Sequence, residues 1–191
     1  MYLSVQDADR AAYLPHFGAK AGVETAIAHA GIPYTILRPI NFYQNDLWLR
    51  EAILQYGVYA QPIGDVGVSR VDVRDIAAVA AVALTTPGHE GETYNLVGPD
   101  AHTGQSTAEE WSRALGRPIA YAGNDLAAWE EQQRAYLPDW MVFDFSLMYD
   151  YFQRNGWQAT PADLERLTAV LGHPPRSFRD FATETAASWK S

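Results

Sequence analysis

Gly31-Ile32-Pro33-Tyr34-Thr35-Ile36-Leu37-Arg38-Pro39 is the stretch on which the fold turns. A glycine that can take the left-handed conformation stops a helix, a proline follows, and Tyr34 to Leu37 forms a short apolar run closed by Arg38-Pro39. Upstream, Ala19, Val23, Ile27 and Ala30 recur at the spacing of one helical face, which predicts a helix over 19–30. Further upstream still, Tyr2-Leu3-Ser4-Val5 reads as another short strand. Strand, helix, strand in this order predicts a parallel crossover unit.

Downstream the alternation continues. A helix is expected over 46–56, ended by Gly57, with Asn45 or Asp46 available as its cap, and the turn from Gly64 to Gly67 precedes the run Val68 to Val71. Asp72 caps a helix over 73–84, Asp75 sits near its N-terminal dipole, and Ile76, Val79, Ala80, Ala83 and Leu84 form its buried stripe. Pro87-Gly88 ends that helix, and Thr93 to Val97 is a third strand. The three runs at 2–5, 34–37 and 93–97 are expected to be neighbouring parallel strands.

After residue 100 the pattern is mostly helical, with one strand at Ile119-Ala120-Tyr121. Thr107 with Glu110 reads as a capping box before a helix that Gly116 terminates, and Thr160-Pro161 opens a helix that Gly172 ends. Ser177 and Asp180 open the last helix, whose Phe178, Phe181, Thr185 and Trp189 are placed to dock it. The aromatic stretch from Trp140 to Phe152 reads as a helix packed on the core, able also to line a cleft. Two parts are therefore expected: residues 1–100, a parallel α/β half, and residues 101–191, a mostly helical lobe.

A formal charge of -9 provides no basic field for a phosphate backbone or an anionic lipid surface, so neither nucleic acid nor membrane is an expected partner. The absence of Cys excludes disulfides, thiolate metal sites and cysteine catalysis, and is compatible with a reducing compartment. No long apolar run and no basic-then-apolar leader is found, which makes a cytoplasmic location the default expectation. His29, His89, His102 and His173 are scattered without metal-ligand spacing, and no metal site is expected.

Three segments carry a resemblance together: His16-Phe17-Gly18-Ala19-Lys20 with Glu24, then Gly31 to Pro39, then Val71-Asp72-Val73-Arg74-Asp75-Ile76-Ala77. In order and spacing they resemble the second half of the NmrA-like family, atypical short-chain dehydrogenases. Gly91 to Pro99, Ala114 to Pro118 and Pro175 to Phe181 are similar to that family's closing segments. The resemblance implies a partial Rossmann-like α/β fold with NADP or NAD as cofactor. The family's opening strand, glycine-rich turn and pyrophosphate-binding helix have no counterpart here, since Gly18, Gly22 and Gly31 lie beside or after a helix. The chain alone is therefore expected to bind dinucleotide weakly and, with open strand edges, to self-associate.

The same resemblance assigns the site. Ser4, His16 and Lys20 fall where short-chain dehydrogenases place Ser, Tyr and Lys, so Lys20 would bond the nicotinamide ribose while Ser4 and His16 face the reacting carbonyl. Imidazole titrates near neutrality, which suits His16 to proton delivery. Pro39, Asn41 and Phe42 follow a strand end and would lie near the nicotinamide. On residue type alone, Lys20 is a solvated helix residue, His16 a surface residue, Ser4 a turn residue and 38–45 a plain connection. Asp72, Arg74 and Asp75 are explained by helix capping without catalysis. The implied activity is NAD(P)H-dependent reduction of a quinone, carbonyl or similar small-molecule substrate. The alternative is a non-catalytic NAD(P)-sensing regulator acting through a protein partner.

Overall fold

The computed structural model describes residues 1–190, with side chains through Trp189. Strands β1 (Tyr2–Leu3), β2 (Ile36–Pro39) and β4 (Thr93–Leu96) form one parallel sheet in the order β1-β2-β4. Tyr2 is in register with Ile36 and Ile36 with Thr93. The β1 ladder runs on past the strand, Ser4 N–H donating to Leu37 O at 2.7 Å and Gln6 N–H to Pro39 O at 3.0 Å. The α/β parallel architecture is thus as the alternation of strands and capped helices predicts.

Helix α1 (Pro15–His29) starts earlier than 19, and its expected face is wrong. It buries Phe17 and Glu24, while Val23 is 41% exposed and Ala19 and Ala30 are also exposed. The cause is two long-range partners. Phe17 packs on Trp157 with ring centroids 5.3 Å apart, and Glu24 accepts from Arg38 Nη2 of β2 at 2.5 Å, which together rotate the helix away from the face its small apolar residues mark. Helix α2 (Val73–Thr85) is capped by Asp72, which accepts from Arg74 N–H; Ile76 and Val79 are buried as expected, but Leu84, in the last turn, is 69% exposed.

The segment expected as one helix over 46–56 is a 3-10 helix at Tyr43–Leu49 followed by a π-helical turn at Ala52–Tyr56. Asp46 does not cap it, and neither does Asn45, because the helix already starts at Tyr43. A strand not foreseen, β3 (Val58–Tyr59), pairs in parallel with β5 (Ala120–Tyr121) in a second, two-stranded sheet.

Helix α3 (Gly104–Leu115) begins four residues earlier than expected: its capping box is Thr103 with Ser106, so Thr107 lies inside the helix. The helix ends on Gly116 in the left-handed region. Helices α4 (Leu126–Gln133), α5 (Asp139–Asn155), α6 (Pro161–Leu171) and α7 (Phe178–Lys190) complete the chain. Thr160 caps α6 reciprocally with Asp163, with Pro161 at the first position, as read from the sequence.

Helix α7 docks on α3 by burying Phe178, Phe181 and Ala182, and Trp189 stacks on Trp111 at 4.9 Å. Each such ring contributes about 1.5–3 kcal/mol of burial. One close approach locks the end of β4 to the segments that carry Arg70 and Tyr43: a Cβ on Gly98 would lie 1.9 Å from Arg70 O and 2.5 Å from Tyr43 Oη, so only glycine fits. No helix among the described residues is long and apolar enough to cross a membrane.

Candidate active site

A cleft of about 470 Å³ opens at the carboxyl ends of β1 and β2, the edge where parallel sheets present their loops. Ser4 comes from the end of β1, His16 and Lys20 from the first turns of α1, Pro39 from the end of β2, and Asn41 and Phe42 from the loop after it; all six line this one cleft. Leu137 and residues of α4 and α5, among them Trp129, Gln133, Phe145, Met148 and Tyr149, close the other side. The lining is mostly apolar, and Lys20 is its one Lys or Arg among the described residues.

The polar groups differ in how they are held. Lys20 Nζ donates to Leu3 O at 3.0 Å and lies 5.3 Å from the centre of the Tyr2 ring. His16 is exposed; its backbone N–H donates to Asp144 Oδ1 at 3.2 Å and its ring meets Phe17 edge-on at 5.9 Å. The Ser4 hydroxyl is buried and has no hydrogen-bond partner, an arrangement that is costly unless a ligand or water completes it. Tyr149 is held well above the usual phenol range by burial, so it is a neutral hydroxyl on the cleft wall at physiological pH.

Beneath the loop lies the feature the sequence reading missed, an ion pair between Arg70 and Asp46 whose side chains are both 0% exposed. Arg70 Nη2 donates to Asp46 Oδ1 at 2.5 Å and to Phe42 O at 2.9 Å, and Arg70 Nε donates to Asn41 Oδ1 at 3.1 Å. Trp111 Nε1 donates to the other Asp46 oxygen at 2.9 Å. Burial works against the Arg70 charge, but Asp46 outweighs it and holds the guanidinium above its ordinary value. Desolvating two ions is offset here by a full set of bonds, and three of the groups bonded are the loop residues Asn41, Phe42 and Asp46. An arginine within Val68-Ser69-Arg70-Val71 was the available signal, because a charge inside an apolar run needs a buried partner.

Asp72 and Asp75 stand outside the cleft. Asp72 caps α2 and pairs with Arg74, and buried Asp75 pairs with Arg176 and accepts from its backbone N–H at 2.8 Å, tying α2 to the segment before α7. Both are structural. Among the described residues no group of three or more His, Asp or Glu is placed to hold a metal ion.

Comparison with known proteins places the chain among reductase relatives. The chain is 36% identical over 166 residues to a (4-alkanoyl-5-oxo-2,5-dihydrofuran-3-yl)methyl phosphate reductase of Streptomyces griseus, covering 87% of this chain and 58% of that protein. It is 33% identical to an NAD(P)H azoreductase of Xenophilus azovorans, covering 85% of this chain and 56% of the relative. The chain therefore spans little more than half the length of these relatives. The Escherichia coli NADPH-dependent quinone oxidoreductase, solved in complex with NADPH, superposes with a TM-score of 0.84 at 26% identity, over 100% of this chain and 65% of that one. Residues 2–170, from β1 into α6 and so including every segment that lines the cleft, match the NmrA-like family: the chain belongs to the NmrA-like family.

Proposed function

We propose that this cleft is the nicotinamide and substrate end of an NAD(P)H-dependent oxidoreductase that reduces a quinone, carbonyl or similar small conjugated molecule. One observation carries the reading: Ser4, His16, Lys20, Pro39, Asn41 and Phe42, drawn from three separate segments, line a single apolar cleft. The reductases among its relatives support it.

The residues suit such a cofactor. Lys20 presents an ammonium with one protein oxygen acceptor, Leu3 O, leaving N–H groups for ribose hydroxyls, and Ser4 offers an unpaired hydroxyl. Pro39, Asn41 and Phe42 would flank the nicotinamide, which when bound supplies the hydride. The protein's own part is to orient and to protonate. Residues before 100 supply the cofactor side, and Trp129, Phe145 and Met148, from the part after 100, exclude water and stack on the substrate. His16, at the cleft mouth and open to solvent, would pass a proton to the reduced oxygen and be reprotonated from water.

The test is oxidation of NADH and NADPH against a panel of quinones and conjugated carbonyls, by the chain and by a fusion that adds a family-typical dinucleotide-binding half. Turnover is expected of the fusion and little or none of the chain alone, and in the fusion Lys20→Ala should weaken cofactor binding by about 1.5–3 kcal/mol, the scale of a charge-assisted hydrogen bond, while abolishing turnover. Tight cofactor binding with no oxidation across the panel would replace this reading with the regulator that senses NAD(P) without turnover.

A further inference from the structure

Gln61 lies at the floor of the cleft, 6% exposed, two residues after β3. Its Nε2 faces Asp46 Oδ1 at 3.4 Å, and its Oε1 has no hydrogen-bond partner. This orientation is forced. Turning the amide over would set its carbonyl oxygen against the carboxylate that Arg70, Tyr59 and Trp111 already fix, a repulsive contact in place of an attractive one. The backbone is held as well: Ile63 N–H donates to Gln61 O at 2.9 Å, and Gln153 Nε2 donates to Pro62 O at 2.9 Å. The chain thus buries an acceptor on a cleft wall and commits its donor side to the ion pair beneath.

Building on the reading of this cleft as a substrate site, we propose that Gln61 is a specificity-determining residue that accepts a hydrogen bond from its ligand, and that the preferred substrate is an uncharged aromatic molecule carrying an O–H or N–H donor. The apolar wall of Trp129, Phe145 and Met148 takes the ring, and Gln61 Oε1 takes the donor. A phosphate-bearing substrate finds no Lys or Arg on these walls apart from Lys20, and no further cation but His16 when it carries its proton. A buried acceptor left unpaired discriminates strongly against a ligand without the donor, because such a ligand displaces water and puts nothing in its place.

The test uses 2-naphthol and 2-methylnaphthalene, similar in size, differing in the donor and not reduced by hydride, with affinities measured by equilibrium dialysis. Wild-type protein should bind 2-naphthol at least as tightly although it is the less hydrophobic of the two. Gln61→Met should lower the naphthol-to-methylnaphthalene affinity ratio about tenfold, the size of one hydrogen bond, with methylnaphthalene affinity kept or raised. Binding of the pair in simple order of hydrophobicity by wild type overturns the proposal even if the variant does not fold. So does an unchanged ratio in a folded variant, or no binding of either compound. Because neither ligand needs turnover, a naphthol preference without any NAD(P)H oxidation leaves Gln61 as the ligand acceptor and removes only the reductase reading.

Discussion

The two sides of the cleft are built by opposite means. The segment from Asn41 to Asp46 takes no side-chain cap at its helix start, yet Arg70 bonds Asn41, Phe42, Tyr43 and Asp46 within it. The first turn of α1, which carries His16, also lacks a side-chain cap, but it is held by an exposed bond to Asp144 and by Phe17. One wall is preorganised by a single buried ion pair; the other is held by Phe17 against Trp157 and Tyr151 and by the Arg38–Glu24 pair, and its His16 stays open to water. Rigidity therefore belongs to the side proposed to flank the nicotinamide, and exchange with solvent to the side proposed to offer the proton.

Breaking the anchored side should have the largest effect. Arg70→Ala leaves Asp46 buried without its partner and should cost about 3–5 kcal/mol in urea unfolding, whereas replacing both ions together, Arg70→Met with Asp46→Leu, should recover most of that loss. If the single and double variants are equally unstable, the pair is not what holds the loop. The open side predicts a different outcome. His16→Phe should leave unfolding free energy within about 0.5 kcal/mol of wild type, as expected of an exposed position, while lowering quinone turnover roughly 10²-fold at nearly unchanged cofactor affinity. A large stability loss there would show that α1 is as tightly anchored as the loop.

The smallest effect sharpens the comparison by pH. His102 lies behind the anchored wall, its ring 5.2 Å from Phe178, which in turn lies 5.1 Å from the Arg70 guanidinium. Burial first, and the Arg70 charge second, hold its imidazole below the ordinary value. A depressed histidine folds in its neutral form, so its contribution is complete above the unfolded value of about 6.5 and is lost as pH falls through the folded one. Unfolding free energy should decline on acidification below about pH 6.5 with a slope of at most about 1.4 kcal/mol per pH unit from this group, and His102→Gln should flatten it. An identical slope in the variant would assign the acid sensitivity to other groups.

Much of the fold was legible because its signals are local. Asp72, Thr160-Pro161, Gly116 and Gly172 mark helix ends through bonds made within a few residues, and short apolar runs between capped helices already imply a parallel sheet. The family motifs also named six residues that share one cleft. Where a face is chosen by a distant partner, periodicity misleads. Val23 sits on the apolar stripe of its helix yet is exposed, because Arg38 draws Glu24 inward, and Leu84 on the stripe of α2 is exposed as well. At the start of α3 the sequence pointed to Thr107 with Glu110, whereas the fold caps the helix with Thr103 and Ser106.

By itself, then, the sequence determined the three parallel strands with their intervening helices, the helix ends at Asp72, Thr160, Gly116 and Gly172, and the family motifs at the strand termini. The tertiary structure alone decided that Arg70 reaches back 24 residues to Asp46, that Gln61 turns its acceptor outward from that pair, and that Trp129 and Tyr149 close the cleft. Helix caps and strand patterns are satisfied by neighbours in the chain, and so are written in it; a buried charge or amide is satisfied by whichever group folding brings within about 3 Å, and residue spacing carries no record of that choice.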